Sequence, residues 1–155
     1  MHPKDRKKET RIPAGLLILF WVLLPLPAQP ATFLQVVLRD SGQVFWESPV
    51  SSGDHFILNH RNSIYGSWVQ EAFLIDSEGF IWLEKLKTDS PAVLEYYGLE
   101  EASPEWIKLS RKIGKIPMLI TPLGRVSLEW RKEKIGLSAL LPEGTFIEIR
   151  THKLP

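Results

Sequence analysis

The residues best equipped for chemistry sit in one stretch, His55 to Ile75, which reads HFILNHRNSIYGSWVQEAFLI. It contributes His60, Asn62, Ser63 and Glu71, and Asp89 and Ser90 follow a short way downstream. A hydroxyl, an imidazole and a carboxylate are the parts of a nucleophilic relay, with Ser63 as nucleophile, His60 as the base that takes its proton and Glu71 as the carboxylate that orients the imidazole. No nucleophile-elbow signature surrounds Ser63, however, and three such residues fall near one another in most chains. The six residues are therefore read as a polar cluster with a binding or structural role, and no catalytic residue is assigned. Metal binding would need clustered ligands, but residues 32–155 contain only His55, His60 and His152. His55 and His60 are five apart, so on one strand they point to opposite faces. Glycine-rich phosphate loops are absent. Neither a metal nor a cofactor is expected.

The elements that must position these groups are strands. HFILNH and WVQEAFLI are dense in aromatic and branched residues, and a polar loop with Asn62, Ser63 and Gly66 joins them, which predicts a hairpin. In the second strand Val69, Glu71, Phe73 and Ile75 recur at spacing two and share a face. If Phe73 and Ile75 face the core, so does Glu71. Both faces of this strand are fairly apolar, which predicts a central position in its sheet. A carboxylate beside a core needs partners or takes up a proton. The 60–66 loop is the nearest source, with Ser63 the expected partner.

Around this hairpin the chain has the texture of short strands and tight turns. FLQVVLR (33–39) and QVFWE (43–47) flank Asp40-Ser41-Gly42, PVSSGD (49–54) reads as a loop, and Asp76 to Gly79 turns into FIWLEKL (80–86). Five strands thus succeed one another at roughly 11 to 13 residues, a little wider than is typical of small sandwiches and barrels. Ser90-Pro91 resembles a helix N-cap with proline at N1, and Gly98 a stop, so a helix of about two turns is expected between them. WIKLSRKI (106–113) reads equally as a strand or, after Ser103-Pro104, as part of a second short helix. Pro117 and Pro122 bound an edge strand at MLIT. RVSLEW (125–130) puts Val126, Leu128 and Trp130 inward, GLSALLPEG is a short turn or helix, and TFIEIR (145–150) turns Ile147 and Ile149 inward. Trp46, Trp82 and Trp130 fall within strand patterns and are read as core, whereas adjacent Tyr96 and Tyr97 cannot both point inward. The class is all-β: a small antiparallel sandwich or barrel with one or two short helices.

Composition sets the outer bounds. The 155 residues allow one domain with a sizeable core, and 44% hydrophobic with 24% charged residues is ordinary for a globular protein. Residues 32–155 carry 14 basic against 16 acidic groups, which argues against a nucleic-acid partner. The absence of cysteine excludes disulfides, thiol catalysis and a lipidated cysteine. Ahead of the domain, MHPKDRKKETR is a basic head and Ile12 to Leu26 an uncharged apolar run. Fifteen helical residues span roughly 22 Å, short of the roughly 30 Å hydrocarbon layer, and Pro13 and Pro25 shorten any helix further. Residues 1–31 are accordingly read as a signal peptide or an N-terminal membrane anchor. Residues 32–155 are read as a single β-rich extracytoplasmic domain, in the periplasm or on the outer face of the cytoplasmic membrane.

The run NSIYGSWVQEAFLIDSEGFIWLEKLKTDSPAVLEYYG resembles the bacterial domain-of-unknown-function family 1850, whose members have a signal-like N-terminus and a small β-rich domain. In that family a His-Ser pair precedes a glutamate at fixed distance; Ser63 and Glu71 take the serine and glutamate positions, and the histidine falls on Asn62, with His60 two residues away. The resemblance is best over residues 33–98. It implies an accessory protein encoded beside TRAP-type transporters of the TAXI class, hence a transporter component as partner, and leaves the mechanism open; a non-catalytic accessory module is the favoured reading. The alternative is a ligand-binding β-barrel, or a hydrolase, of the cell envelope. The two differ in whether the polar cluster lines a concave pocket or is sealed with its acceptors paired.

Overall fold

The computed structural model describes residues 31–62, 64–99 and 105–154. Ten strands and two short helices follow one another along these residues. The strands are β1 (Thr32–Leu38), β2 (Val44–Val50), β3 (His55–Arg61), β4 (Trp68–Ile75) and β5 (Ile81–Thr88), then β6 (Ile107–Ile113), β7 (Lys115–Leu119), β8 (Ser127–Trp130), β9 (Glu133–Ile135) and β10 (Phe146–Lys153). Helix α1 (Pro91–Tyr96) lies between β5 and β6, and α2 (Leu137–Leu140) between β9 and β10. The strands form a four-stranded sheet, β2-β1-β10-β7, and a six-stranded sheet, β6-β5-β4-β3-β8-β9, with antiparallel pairing throughout.

Alternation along the strands builds the core between the two sheets. Leu34, Val36, Ile147 and Ile149 from the smaller sheet meet Phe56, Leu58, Phe73, Ile75 and Leu128 from the larger one. Phe56 and Phe73 are register partners, and their rings stack at 4.9 Å. Burying each such side chain contributes roughly 1.5–3 kcal/mol, so these alternating positions fix which face of each strand points inward. The barrel alternative is corrected. Closure would require the edge strands β2, β7, β6 and β9 to pair across the sheets, and among the described residues each stands at the end of its sheet. The chain passes from one layer to the other four times, most tightly at Gly114, where β6 gives way to β7.

Several local expectations are revised. β2 continues through Pro49 to Val50 rather than ending in a loop, and β7 contains Pro117. Both are edge strands, where the missing N–H costs no ladder bond. Residues 107–113 are a strand. Trp130 is buried, but Trp82 lies on the outer face of β5, between inward Ile81 and Leu83, with its indole N–H donating to Asp76 at 2.8 Å. That bond, with the Phe80 and Glu78 backbone N–H groups, holds the Asp76 carboxyl below its ordinary range. Among the described residues no helix is long and apolar enough to cross a membrane, and the apolar run 12–26 lies outside them.

Candidate functional site

Glu71 occupies the inner face of β4, between β3 and β5, near the middle of the six-stranded sheet. It is buried, and both carboxylate oxygens have partners. Oε2 lies 3.2 Å from His60 Nε2, and Oε1 accepts from the Tyr97 hydroxyl at 2.7 Å. His60 is placed by register: on β3 it pairs with Val69 of β4, one inward position along from Leu58, which pairs with Glu71. Tyr97 is placed by the way α1 ends. Ser90 caps the helix, its Oγ accepting from Val93 N, and Pro91 takes N1. At the other end Leu99 N donates to Leu94 O and Gly98 N to Glu95 O, the paired bonds of a Schellman stop, with Gly98 at φ +71°. Tyr97 is the last residue before that reversal. Its ring packs on Val69, Leu86, Val93 and Leu94, while Tyr96 beside it is exposed.

The electrostatics follow from this geometry. Burial, and then the charge and acceptor oxygen of Glu71, push the Tyr97 hydroxyl far above its ordinary value, so it stays a donor at any physiological pH. The His60 and Glu71 side chains are only 14% and 11% exposed, which leaves little room for a substrate to reach them. A hollow of about 270 Å³ touches His60, Met118 and Thr121, below the roughly 300–1,000 Å³ usual for ligand sites. The cluster therefore ties β3, β4 and α1 together across the inner face.

The other expected site residues go elsewhere. Asn62 Oδ1 accepts from the backbone N–H groups of Ile64 and Tyr65, so its side chain shapes the β3–β4 turn. Ser63 lies outside the described residues; the described partners of Glu71 are His60 and Tyr97. Ser90 is the α1 cap, and Asp89 is exposed on the opposite side of the sheet from Glu71, at the rim of a large cleft.

That cleft, of about 900 Å³, opens on the outer face of the six-stranded sheet and was not foreseen from the sequence. Its floor is one transverse row. Lys87 pairs with Gln70, Gln70 with Asn59 and Asn59 with Ser127, so four polar side chains on four adjacent strands lie side by side. Gln70 Nε2 donates to Asn59 Oδ1 at 2.6 Å, and Asn59 Nδ2 to Glu129 Oε1 at 3.0 Å, which fixes the amides. Trp68, half exposed, and Val126 with Ala139 supply apolar walls. Helix α2 is held against the floor by two bonds, Val126 N to Ser138 Oγ at 2.7 Å and Ser138 N to Val126 O at 3.1 Å. The outer face of the smaller sheet differs: Gln35, Glu47, Glu148, Arg150 and Lys115 pair with one another across it. Compared with known proteins, the chain matches no family model, no curated protein and no solved structure.

Proposed function

We propose that this protein is a non-catalytic binding module of the cell envelope, exported or membrane-anchored through residues 1–31, that works beside a membrane transporter. The observation that carries the non-catalytic reading is the division of labour between the two faces of one sheet. The acid, imidazole and phenol that could move protons are paired with one another and nearly sealed, whereas the open 900 Å³ cleft is lined by fixed amides, cations and an indole. Amides and an exposed aromatic ring are groups of recognition, not of bond cleavage. The basic head and apolar run of residues 1–26 support export. The resemblance of residues 33–98 to family 1850 supports a TRAP-type transporter of the TAXI class as the partner. Crosslinking and co-purification from native membranes should capture a transporter permease or its substrate-binding protein. Recovery of the chain free of any transporter component would remove the partner, and activity of a cytoplasm-only reporter fused after Pro155 would remove export.

A further inference from the structure

We infer that the outer cleft binds a small organic carboxylate, with the anionic end between Lys87 and Arg125 and the apolar body against Trp68. This rests on the binding-module reading and adds the chemical class of the ligand. Charge is the first argument. Residues 32–155 hold 14 basic and 16 acidic groups, yet the cleft is lined by Lys87, Arg125 and Lys134 against Asp89, with Glu129 beside it on Asn59 and Lys134. Lys134 is engaged by Glu129 at 3.5 Å, while Lys87 and Arg125 have no carboxylate partner among the described residues. Two cations without carboxylate partners, lining one cleft of an otherwise acidic domain, attract an anion to this place and not to the surface at large.

The shape of the site narrows the anion. Arg125 has φ +42°, a backbone conformation that side-chain-bearing residues rarely adopt. It is held there from both sides, by Gly124 O accepting from Arg61 N at 2.6 Å and by the double bond pair between Val126 and Ser138. The guanidinium root is thus fixed at the rim of the cleft, and a guanidinium suits a carboxylate in bidentate geometry. Polyphosphates fit less well. Their binding uses a run of backbone N–H groups or a long helix N-terminus, and helix α2, beside the cleft, has four residues and begins at Gly136 without a capping side chain. Asp89 on the same rim penalises a second negative charge. One charge and an apolar body match two unpaired cations, Trp68, Val126 and Ala139.

The test uses the full-length chain in lipid nanodiscs and three probes: phenylbutyrate, its neutral amide phenylbutyramide, and inorganic phosphate. Calorimetry should find phenylbutyrate bound at least about tenfold more tightly than the amide, the discrimination expected of a charge-assisted pair. Phosphate should bind more weakly than phenylbutyrate. The double substitution Lys87→Gln, Arg125→Gln should abolish the preference for acid over amide, and Trp68→Phe should remove the tryptophan fluorescence change that binding produces. Equal affinities for acid and amide in the parent protein, tightest binding by phosphate, or no binding by either organic probe would each overturn the inference without any variant having to fold. Partner capture from native membranes is scored in parallel on the parent. Capture without carboxylate preference overturns the ligand and leaves the binding module; carboxylate preference without capture leaves the ligand and removes the transporter.

Discussion

Both oxygens of Glu71 are taken, one by His60 from the neighbouring strand and one by Tyr97 from the end of α1, and this makes the residue a fastener between elements. Replacing it with alanine leaves two partly buried polar groups, on His60 and Tyr97, without their partner. That should cost on the order of 1–3 kcal/mol in urea denaturation, well above a surface change. Glu71→Gln keeps an acceptor for Tyr97 and should cost less. Equal midpoints for parent and Glu71→Ala would end the fastener role. Tyr97 carries a pH signature of the same contact. Its folded pKa is raised above the unfolded value of about 10, so native protein holds a proton that unfolded chain releases. Its contribution to stability is therefore complete below about pH 10 and declines as pH rises above that point. Tyr97→Phe should flatten this alkaline decline, and an unchanged slope in denaturation midpoints from neutral pH to pH about 11 would show that Tyr97 does not face the carboxylate. Strand parity alone makes Glu71 inward and central. Its partners were not legible: Ser63 is nearer in sequence, but His60 shares the inner face by hairpin register, and Tyr97 arrives from 26 residues away through a helix stop.

At the scale of elements, α1 was the most legible part of the chain, because its signals are local. Ser90, Pro91 and Gly98 mark a cap, a first position and a stop, and each does that job. The placement of Tyr97 depends on them. A Cβ on Gly98 would meet nothing within 4 Å, so Gly98→Ala adds backbone strain at φ +71° without a clash. It should cost about 1 kcal/mol, and Ser90→Ala a similar ~1 kcal/mol through the lost cap. Each should also lower the protection of the Tyr97 and Leu99 amides in hydrogen exchange, while the β1–β10 ladder on the far sheet keeps its own. Uniform loss across both sheets would mean that α1 is not a separately loosened element. What the pattern could not show is which strands meet. The β3–β8 pairing joins Asn59 to Ser127 across nearly half the chain, and it is this pairing, with Gln70 and Lys87, that assembles the cleft floor. A bulge also breaks parity: the β4–β5 and β5–β6 registers shift, so Leu83 and Leu86 are both buried although they are three apart. The outward position of Trp82 is likewise invisible to a rule that counts an aromatic residue in a strand as core.

Over the whole molecule, the two sheets share one polarity, and it separates the end where residues 1–30 join from the end where the cleft opens. Ala31 O accepts from Leu154 N at 2.9 Å, Thr32 pairs with both Lys153 and Val50, and Thr151 Oγ1 donates to Gly79 O, so the junction with residues 1–30 lies beside the Asp76–Gly79 turn. β4 runs from Trp68 at the opposite end down to Ile75 at this one. Eight residues of strand cover about 26 Å. The cleft floor, α1 and the exposed side chains Ile64, Tyr65 and Trp68 all gather at the end away from the junction. If residues 1–31 are retained as an anchor, that arrangement points the cleft and the aromatic tip away from the anchoring bilayer, toward a protein standing above it. The chain contains no cysteine, so single-cysteine labels report without background. A fluorophore on Ser77→Cys in nanodiscs should be quenched by spin-labelled lipid headgroups, and one on Tyr65→Cys should not. Adding the captured transporter component should then alter the Tyr65→Cys label and leave the Ser77→Cys label as it was. Headgroup quenching at position 65 with none at 77 would invert the orientation and make the aromatic tip a membrane contact, because an exposed isoleucine and two exposed aromatic side chains at one end are also what an interfacial lipid contact requires.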